Sequence, residues 1–263
     1  MLEALTLDCA REQDRITAFI QRYLAGAGFS RLVLGLSGGI DSSLVAFLSV
    51  AAVGPENVMG MILPYETSSP KSEAHARLLI EQLGIPFQRF EITKMVHALV
   101  DRYPEMGQRR SGNIMARCRM IALYDQSIAF EGLVMGTSNR TEMLLGYFTL
   151  YGDGAAALEP IAHLYKCQVR ALARHMGVPD VIVSKPPSAD LWVGQTDEGE
   201  LGFTYDEADQ ILYLLTEMGL GADDVASRGF DAKVVEAVRH QMRVTAFKRQ
   251  MPPGLPVGEE ATG

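Results

Sequence analysis

The amino-acid sequence predicts an α/β fold, with a doubly wound parallel sheet flanked by helices in a single domain. Short apolar runs that fit buried strands alternate with longer segments whose apolar residues recur at helical spacing. The 263 residues are enough for one substantial core, and 48% hydrophobic with 21% charged residues is typical of a globular domain. We expect this domain to span residues 1–252, with an irregular C-terminal segment, and the tail at 253–263 to be disordered.

The first half of the chain supplies the alternating elements. A helix, indicated by the apolar residues Ile16, Ile20 and Leu24, comes before the first apolar strand. The predicted strands are 32–36, 57–63, 85–92 and 133–136, and the predicted helices are 10–24, 41–48, 72–83, 93–102 and 114–130. Residues 109–113, between the last two helices, are predicted to form a mobile or ligand-facing connection.

Two polar segments follow the ends of predicted strands. Residues 37–43 follow the first strand and residues 137–142 follow the fourth. Because ligands of open parallel sheets bind beyond the carboxyl ends of the strands, we expect both segments to contribute to one site. After Gly146, glycine, proline and polar residues interrupt short helices, and clear helices resume only near 205–218 and 231–242.

The most informative segment is 32–46, LVLGLSGGIDSSLVA, which predicts a strand, a glycine turn and a helix. The first N–H groups of a helix and its dipole attract an anion, and adjacent glycines let the backbone approach that anion closely. The hydroxyls of Ser37, Ser42 and Ser43 are further candidate donors. The segment is therefore predicted to bind phosphate.

The same loop differs from two common phosphate sites. No lysine follows the glycines, as it would in a Walker-type loop, and the spacing is not GxGxxG. Asp41 would repel phosphates unless a cation lay between them, so we predict that it binds Mg²⁺ beside a polyphosphate. The alternative is an ordinary strand-to-helix turn in which Asp41 caps the helix.

The composition argues against several function classes. A net charge of −8, with no basic stripe, disfavours binding of nucleic acid or of an anionic membrane surface. The sequence has no apolar run of 18 residues and no signal peptide, so no membrane attachment is predicted. The cysteines, Cys9, Cys118 and Cys167, are widely separated, which favours reduced thiols in a cytoplasmic protein over a zinc site or a catalytic thiol.

Several linked motifs indicate a family. SGGIDS resembles the pyrophosphate loop of the N-type ATP pyrophosphatases, and four further segments resemble the ammonia-using form of the NAD synthetase family. These segments are NIMARCRM at 113–120, GTSNRTEMLLGYFTLYGDG at 136–154, EPIAHLYKCQVRALA at 159–173 and KPPSADLWVGQTDEGELGFTY at 185–205. The resemblance covers residues 12–252. It implies a fold like that of the adenine nucleotide alpha hydrolases, and a homodimer.

The resemblance also implies a reaction. Deamido-NAD (nicotinic acid adenine dinucleotide) would be adenylated by ATP and then amidated by ammonia, giving NAD, AMP and pyrophosphate. About 30 residues precede the phosphate loop, too few for the amidase domain that the glutamine-using enzymes carry. The expected nitrogen source is therefore free ammonia, or ammonia from a separate glutaminase partner.

The residues of the site follow from the matched positions. Asp41 and Glu142 would bind Mg²⁺, Lys166 would contact the ATP phosphates, and Asp153 could bind ammonium and accept its proton. The predicted catalytic residues are thus Asp41, Lys166 and Asp153. The predicted ATP-binding residues are Gly35, Leu36, Ser37, Gly38, Gly39, Ile40, Asp41, Ser42, Thr137, Lys166 and Ser188, and the predicted substrate-binding residues are Arg117 and Lys248.

Each of these positions also has a structural alternative when the residues are considered alone. Glu142 could be a helix N-terminal carboxylate, and Lys166 could be a solvated surface charge. Asp153 lies in a glycine turn that suits a turn-forming Asp, and Thr137 and Ser188 could be turn-forming hydroxyls.

Three positions depart from the family pattern. Leu150 replaces a common Lys, Ala157 a common Asp and Phe247 a common His, and these family positions contact the pyridine dinucleotide. The positions that match ATP contacts are unchanged. Asp197 and Glu198 lie in a segment that resembles the one closing over the family's site, and the resemblance gives neither residue a role.

Two other functions stay open on the sequence. The same ATP site could serve adenylation of a different carboxylate, or the chain could be a non-catalytic adenine-nucleotide-binding module. Asp41, Glu142 and Lys166 argue against the module, because a sensor has little need of a charged leaving-group site. Pyrophosphate release distinguishes an enzyme from a sensor, and the acid that provokes this release distinguishes the two enzymes.

Overall fold

Four parallel strands form the sheet in the computed structural model, which describes residues 2–192 and 194–255. They are β1 (Arg31–Gly35), β2 (Val58–Ile62), β3 (Phe87–Arg89) and β4 (Gly132–Met135), in the order β3-β2-β1-β4. The chain runs outward from β1 to β3 and then returns past β1 to form β4. The carboxyl ends of β1 and β4 therefore flank the point where the winding direction reverses, which is where ligands bind in such sheets.

The helices of the described residues cover the sheet and extend beyond it. They are α1 (Cys9–Ala27), α2 (Ile40–Val53), α3 (Pro70–Leu83), α4 (Thr93–Val100), α5 (Gln108–Ala129), α6 (Arg140–Leu145), α7 (Lys166–His175), α8 (Asp180–Val183), α9 (Asp197–Leu201), α10 (Tyr205–Thr216), α11 (Ala222–Ser227) and α12 (Ala232–Val244). Within the described part of the chain, no helix combines the length and the apolar composition needed to cross a membrane.

The two faces of the sheet bury different side chains, as the alternation along a strand requires. Leu32 and Leu34 of β1 belong to the core that includes residues of α1, α2 and α7. Val33, between them, belongs to the core on the opposite face, with residues of α4 and α5. Helices therefore cover both faces, and the predicted doubly wound α/β fold is confirmed.

A further core lies in the C-terminal part of the chain. It joins α6, α10, α11 and α12 through fully buried apolar side chains, among them Leu145, Ile211, Val225 and Val238. The segment after Gly146, predicted to contain short interrupted helices, has α7, α8 and α9 between irregular stretches before α10 begins at Tyr205. The six-residue helix α11 has no counterpart among the predicted helices.

Two elements in the first half differ in detail from the predictions. Residues 109–113, predicted as a connection, lie in the first turns of α5, where Gly112 leaves room for Leu191 to pack within 2.9 Å of where a Cβ would stand. The strand predicted at 85–92 shortens to the three residues of β3, because β3 is an edge strand and all three are exposed. The predicted tail, 253–263, lies outside the described residues from position 256 onward.

Candidate active site

A cavity of about 1080 Å³ opens at the carboxyl ends of β1, β2 and β4. Its walls come from the β1–α2 loop, the β4–α6 loop, α5, the start of α7 and the segment before α9. The predicted site residues that line it are Gly35, Leu36, Ser37, Gly39, Ile40, Asp41, Ser42, Arg117, Thr137, Glu142, Asp153, Lys166, Ser188 and Lys248. The fold thus brings together segments that are far apart in the sequence.

The β1–α2 loop presents backbone donors at the start of α2. The first helical hydrogen bond runs from the Ser43 N–H to the Gly39 carbonyl at 3.2 Å. The N–H groups of Ile40, Asp41 and Ser42 therefore have no helical acceptor, and together with the helix dipole they can bind an anion. Gly39 is the N-cap and Asp41 lies inside the first turn without a side-chain cap, so the alternative in which Asp41 caps the helix is wrong.

Glycine is required at position 38 by the neighbouring chain. Gly38 has a φ of +70°, and a Cβ at this position would lie 2.2 Å from the carbonyl oxygen of Ser72. Gly39 has a φ of −97°, which other residues adopt readily. Close packing against Ser72, which the sequence did not indicate, is therefore one reason for glycine in this loop.

The hydroxyls of the loop bind mainly to the loop itself. The Oγ atoms of Ser37 and Ser42 are 3.0 Å apart, and Ser42 Oγ also accepts from the Ser37 N–H at 3.3 Å. Ser43 is fully buried and donates to the Gly39 carbonyl at 2.7 Å. Ser37 and Ser42 line the cavity, but the expectation that the Ser43 hydroxyl faces a ligand is wrong.

Lys166 lies between the two carboxylates predicted to bind metal. Its Nζ is 2.6 Å from Asp41 Oδ2 and 3.0 Å from Glu142 Oε1, and 2% of its side chain is exposed. The alternative of a solvated surface charge is therefore wrong. Burial by itself would lower the pKa of Lys166, but the two carboxylates outweigh it and hold this pKa above its ordinary value. Lys166 is a fixed cation in the cavity wall.

Asn139, which has no predicted role in the site, connects the two carboxylates. It is fully buried and donates from Nδ2 to Asp41 Oδ1 at 2.9 Å. Its N–H donates to Glu142 Oε2 at 3.2 Å, and its Oδ1 accepts from the Glu142 N–H at 3.0 Å, which forms a capping box at the start of α6. Glu142 is thus also a helix N-terminal carboxylate. Burial raises its pKa, the charge of Asp41 adds to this, and Lys166 opposes it.

Buried hydrogen bonds hold the start of α7, and with it Lys166. The Lys166 N–H donates to Thr141 Oγ1 at 3.0 Å, and the Cys167 N–H donates to Asp209 Oδ2 at 2.7 Å. Thr141 Oγ1 donates in turn to Asp209 Oδ1 at 2.5 Å. These side chains satisfy N–H groups of the first helical turn that have no helical acceptor. The backbone that carries Lys166 is therefore well constrained.

Glu159 supports the loop that follows β4, and it is another residue that the sequence did not single out. The Gly136 N–H donates to the Leu158 carbonyl at 2.9 Å, so the chain before Glu159 runs along β4. The Glu159 carboxylate accepts from the Ser138 N–H at 3.0 Å, and a Cβ at Gly136 would lie 2.1 Å from it. Burial raises the pKa of Glu159 to about 8.

Asp153 makes the contact expected of a turn-forming residue. Its Oδ1 accepts from the Thr149 N–H at 2.8 Å. Asp153 is an exposed residue that lines the cavity, and desolvation of its carboxylate by the cavity walls raises its pKa despite the nearby charge of Lys248. A carboxylate with a raised pKa is suited to accept a proton, so the turn contact is compatible with the predicted catalytic role.

The two predicted substrate residues bind backbone carbonyls of the same wall. Arg117 donates from Nε and Nη2 to the Leu150 carbonyl at 3.3 and 3.2 Å. Lys248 Nζ donates to the carbonyls of Gly146 and Phe148 at 2.7 and 2.6 Å. Both cations therefore shape the wall that they line.

Two predicted hydroxyls also line the cavity, together with the unpredicted cations Arg109, Arg119 and Lys185. Thr137 and Ser188 line the cavity, and Ser188 Oγ also accepts from the Asp190 N–H at 3.1 Å, as its turn-forming alternative requires. Arg119, which the sequence did not assign to the site, lines the cavity as well and donates from Nε to the Leu63 carbonyl at 3.0 Å.

The three departures from the family pattern have different locations. Leu150 and Phe247 line the cavity, and Phe247 is 62% exposed at its edge. Ala157 packs against the main core, and its N–H donates to the Val134 carbonyl at 2.9 Å. Two of the three departures, Leu150 and Phe247, therefore border the cavity.

Asp41 and Glu142 are the residues that could bind Mg²⁺. Among the residues that the structure describes, no three His, Cys, Asp or Glu side chains are arranged to bind a metal ion. Two carboxylates with hard oxygen atoms nevertheless fit Mg²⁺, which is commonly bound by one or two carboxylates together with substrate phosphates. The donor set therefore fits an ion that binds with a nucleotide.

Comparison with known proteins gives a consistent result. A family model described as NAD synthase matches residues 12–252. The NH3-dependent NAD(+) synthetase of Trichlorobacter lovleyi is 49% identical over 251 residues, covering 95% of this chain and 92% of the relative. The structure of NH3-dependent NAD synthetase from Campylobacter jejuni has a TM-score of 0.81 and 32% identity, covering 95% of this chain and 100% of that one. The structure of NMN synthetase from Francisella tularensis has a TM-score of 0.84 and 31% identity, with coverages of 95% and 99%.

Proposed function

The chain belongs to the NAD synthase family, and on this premise we propose that it catalyses the ATP-dependent amidation of deamido-NAD with ammonia to give NAD. It is a ligase that forms a C–N bond and uses ATP. The observation that best supports the proposal is the contact of Lys166 with Asp41 and Glu142 at the strand ends where the winding direction reverses.

The reaction has two steps. A carboxylate oxygen of deamido-NAD attacks the α-phosphorus of ATP, the bond from this phosphorus to the bridging oxygen breaks, and pyrophosphate leaves with the electron pair. Ammonia then attacks the acyl carbon, and AMP leaves with the former carboxylate oxygen. The nitrogen loses one proton and becomes the amide of NAD.

The first step requires compensation of the negative charge around three phosphates. The N–H groups at the start of α2 and the buried ammonium of Lys166 supply positive charge at fixed positions, so little reorganisation is needed during the reaction. Thr137 and Ser188 would add hydroxyl contacts to ATP. Asp41 and Glu142 would hold Mg²⁺, which when bound neutralises phosphate charge and polarises the phosphoryl oxygens.

The second step requires a site that excludes water, because water would hydrolyse the acyl adenylate. The segment before α9 covers one side of the cavity. Asp153, whose pKa is raised by desolvation at the cavity wall, would accept the proton that the attacking nitrogen loses. Arg117 and Lys248, which line the same cavity, would contact deamido-NAD.

The test of the proposal is NAD formation by the purified protein with ATP, Mg²⁺, deamido-NAD and ammonium, with AMP counted in the same reaction. We expect one AMP for each NAD. ATP binding without formation of either product would contradict the proposal and would favour a nucleotide-binding module.

Asp41→Ala tests the assignment of the first step. We expect it to abolish pyrophosphate release while the protein stays folded, because Asp41 lies in the first turn of α2 with its side chain at the cavity and contributes little to core packing. Asp14→Ala, an exposed position on α1, is the matched control and should keep full activity. Normal turnover by Asp41→Ala would refute a role of this carboxylate in metal binding.

A second candidate function differs in the acid substrate. The structural similarity to an NMN synthetase suggests that the acid substrate is the mononucleotide whose amidation gives NMN, in place of deamido-NAD. The ATP chemistry would be the same. The same assay with each acid in turn decides between them, through the ratio of the two kcat/KM values. A preference for the mononucleotide acid would retain the mechanism and change the substrate.

A homodimer is also proposed, and a stripe on α5 supports it. Ile121, Tyr124 and Ile128 are spaced to share one face of the helix, and Ile128 is 81% exposed. Ile128→Glu should shift the protein from dimer to monomer in light scattering. Val181→Glu, at an exposed apolar position on α8, is the control and should leave the mass unchanged. A monomeric wild-type protein would contradict the proposal.

A further inference from the structure

The covering segment, residues 185–192 and 194–202, lies along one side of the cavity and contains a buried carboxylate, Asp197. It is 5% exposed, although an aspartate is rarely buried without partners. Its Oδ1 accepts from the Ala189 N–H at 3.1 Å and from the Tyr147 hydroxyl at 3.2 Å, and its Oδ2 accepts from the Tyr205 hydroxyl at 3.1 Å. Asp197 therefore joins the covering segment to two tyrosines outside its turn.

One of these tyrosines contacts the cation of the site. Tyr205 is 1% exposed, and the centroid of its ring lies 4.9 Å from Lys166 Nζ. A cation over an aromatic ring is attracted by the electron-rich face. Since a hydroxyl that donates to a carboxylate becomes more strongly polarised, the bond to Asp197 increases the electron density of this face. A continuous path of contacts thus runs from Ala189 through Asp197 and Tyr205 to Lys166.

Other contacts of the covering segment do not reach this cation. Asp190 accepts from the Ser69 N–H at 3.1 Å, and Lys185 Nζ donates to Ser72 Oγ at 3.0 Å. The neighbour of Asp197, Glu198, accepts from the Tyr205 N–H at 2.9 Å, so it holds the backbone of this tyrosine and not its ring. Asp197 is the residue of the covering segment that binds the hydroxyl of the Tyr205 ring, and this ring contacts the site cation.

We propose that Asp197 is a positioning residue that couples the position of the covering segment over the cavity to the position of the Lys166 ammonium. The inference rests on the proposed function and extends it: the site cation and the cover that excludes water are held by one carboxylate. The acid is then activated in a covered cavity, and the acyl adenylate reacts with ammonia rather than with water. Loss of this carboxylate uncouples ATP consumption from NAD formation.

Asp197→Ala and Tyr205→Phe test the coupling, with Asp206→Asn as the matched control. Asp206 is next to Tyr205 in the sequence, but its carboxylate is exposed and pairs with Arg170 on the surface. Three quantities are measured for each variant: kcat for NAD, the AMP-to-NAD ratio, and amide hydrogen exchange of peptides that contain Ala189.

We expect Asp197→Ala to lower kcat roughly 10- to 100-fold, as displacement of a reacting group does, and to raise the AMP-to-NAD ratio above that of the wild type. Exchange at Ala189 should become faster, while exchange in the interior of α10 stays unchanged. Tyr205→Phe keeps the ring and loses the hydroxyl, so it should show the same changes to a smaller degree. The double variant should be no worse than Asp197→Ala alone, because both changes break one path.

A purely structural role predicts a different pattern. In that case kcat would fall only with the amount of folded protein, and the AMP-to-NAD ratio would equal that of Asp206→Asn; this result would overturn the inference. If Asp197→Ala does not fold, Tyr205→Phe decides by the same two quantities. If the wild-type protein forms no NAD, the proposed function fails, and unchanged exchange at Ala189 in Asp197→Ala would separately refute the coupling.

Discussion

Glu159→Gln tests how the protein holds the loop that carries Thr137 and Asn139. Glutamine keeps the shape of the side chain and still offers an oxygen to the Ser138 N–H. In the wild-type protein, this nitrogen lies 3.0 Å from the Glu159 carboxylate oxygen. It cannot ionise. The close packing of the carboxylate against Gly136 is retained by a side chain of the same size, so the substitution isolates the effect of the charge.

The sign of the effect follows from the direction of the pKa change. Burial holds the pKa of Glu159 at about 8 in the folded protein, against an ordinary value of 4.5. The folded protein therefore retains a proton that the unfolded chain has lost. This contribution to stability is complete below about pH 4.5 and is lost as the pH rises to about 8. The change in pKa corresponds to at most roughly 5 kcal/mol in the free energy of unfolding, and glutamine does not incur this loss.

Urea unfolding at about pH 5 and about pH 8.5 measures the effect. The stability of Glu159→Gln relative to the wild type should rise by roughly 3–5 kcal/mol between these two pH values. Glu236→Gln, an exposed glutamate on α12, is the control and should show almost no such change. An equal difference between Glu159→Gln and the wild type at both pH values would refute the reasoning.

Three further predictions concern the site and its supports. Lys166→Met leaves two partly buried carboxylates without their cation, so it should abolish pyrophosphate release and cost about 3–5 kcal/mol in urea unfolding at neutral pH. The exposed Lys233→Met should change neither quantity. A folded and active Lys166→Met protein would contradict this. Gly38→Ala should cost more than Gly28→Ala: both positions have a left-handed φ, worth roughly 1–2 kcal/mol, but only Gly38 has a carbonyl oxygen 2.2 Å from the new Cβ. Equal stabilities of the two variants would show that the neighbouring chain moves aside. Asn139→Ala should lower thermal stability by about 1 kcal/mol through loss of the capping box and reduce turnover as well, and unchanged turnover would show that Asp41 does not depend on this amide.

The sequence was sufficient for the parts of the molecule that local patterns determine. The apolar run at 32–36 and the glycines after it predicted a strand, a turn and a helix N-terminus, and the structure has all three. Strand alternation with helices predicted a parallel sheet with both faces covered, because few other arrangements bury such strands. The positions of Asp41 and Glu142 in one cavity followed from their places after two strand ends.

The parts that the sequence did not predict depend on contacts between distant segments. Asn139 is an ordinary helix cap by local pattern, and only the fold shows that it also holds Asp41. Glu159 follows Leu158, which pairs with Met135 of β4, and its carboxylate binds the Ser138 N–H. The residues next to Glu159 in the sequence do not indicate this contact. Tyr205 lies at the start of a predicted helix, but its contact with Lys166 joins that helix, α10, to α7. Local propensity cannot predict such contacts, because they depend on how distant segments pack together.

The measurement that tests the central claim most directly follows an oxygen atom. Deamido-NAD labelled with ¹⁸O in its carboxylate is incubated with the protein, ATP, Mg²⁺ and ammonium, and the AMP is analysed by mass spectrometry. If the acid is activated as an acyl adenylate, one carboxylate oxygen moves to phosphorus and leaves with AMP, so each labelled turnover should give AMP with one ¹⁸O. AMP that carries no label would show that ATP is cleaved by water and would contradict the account.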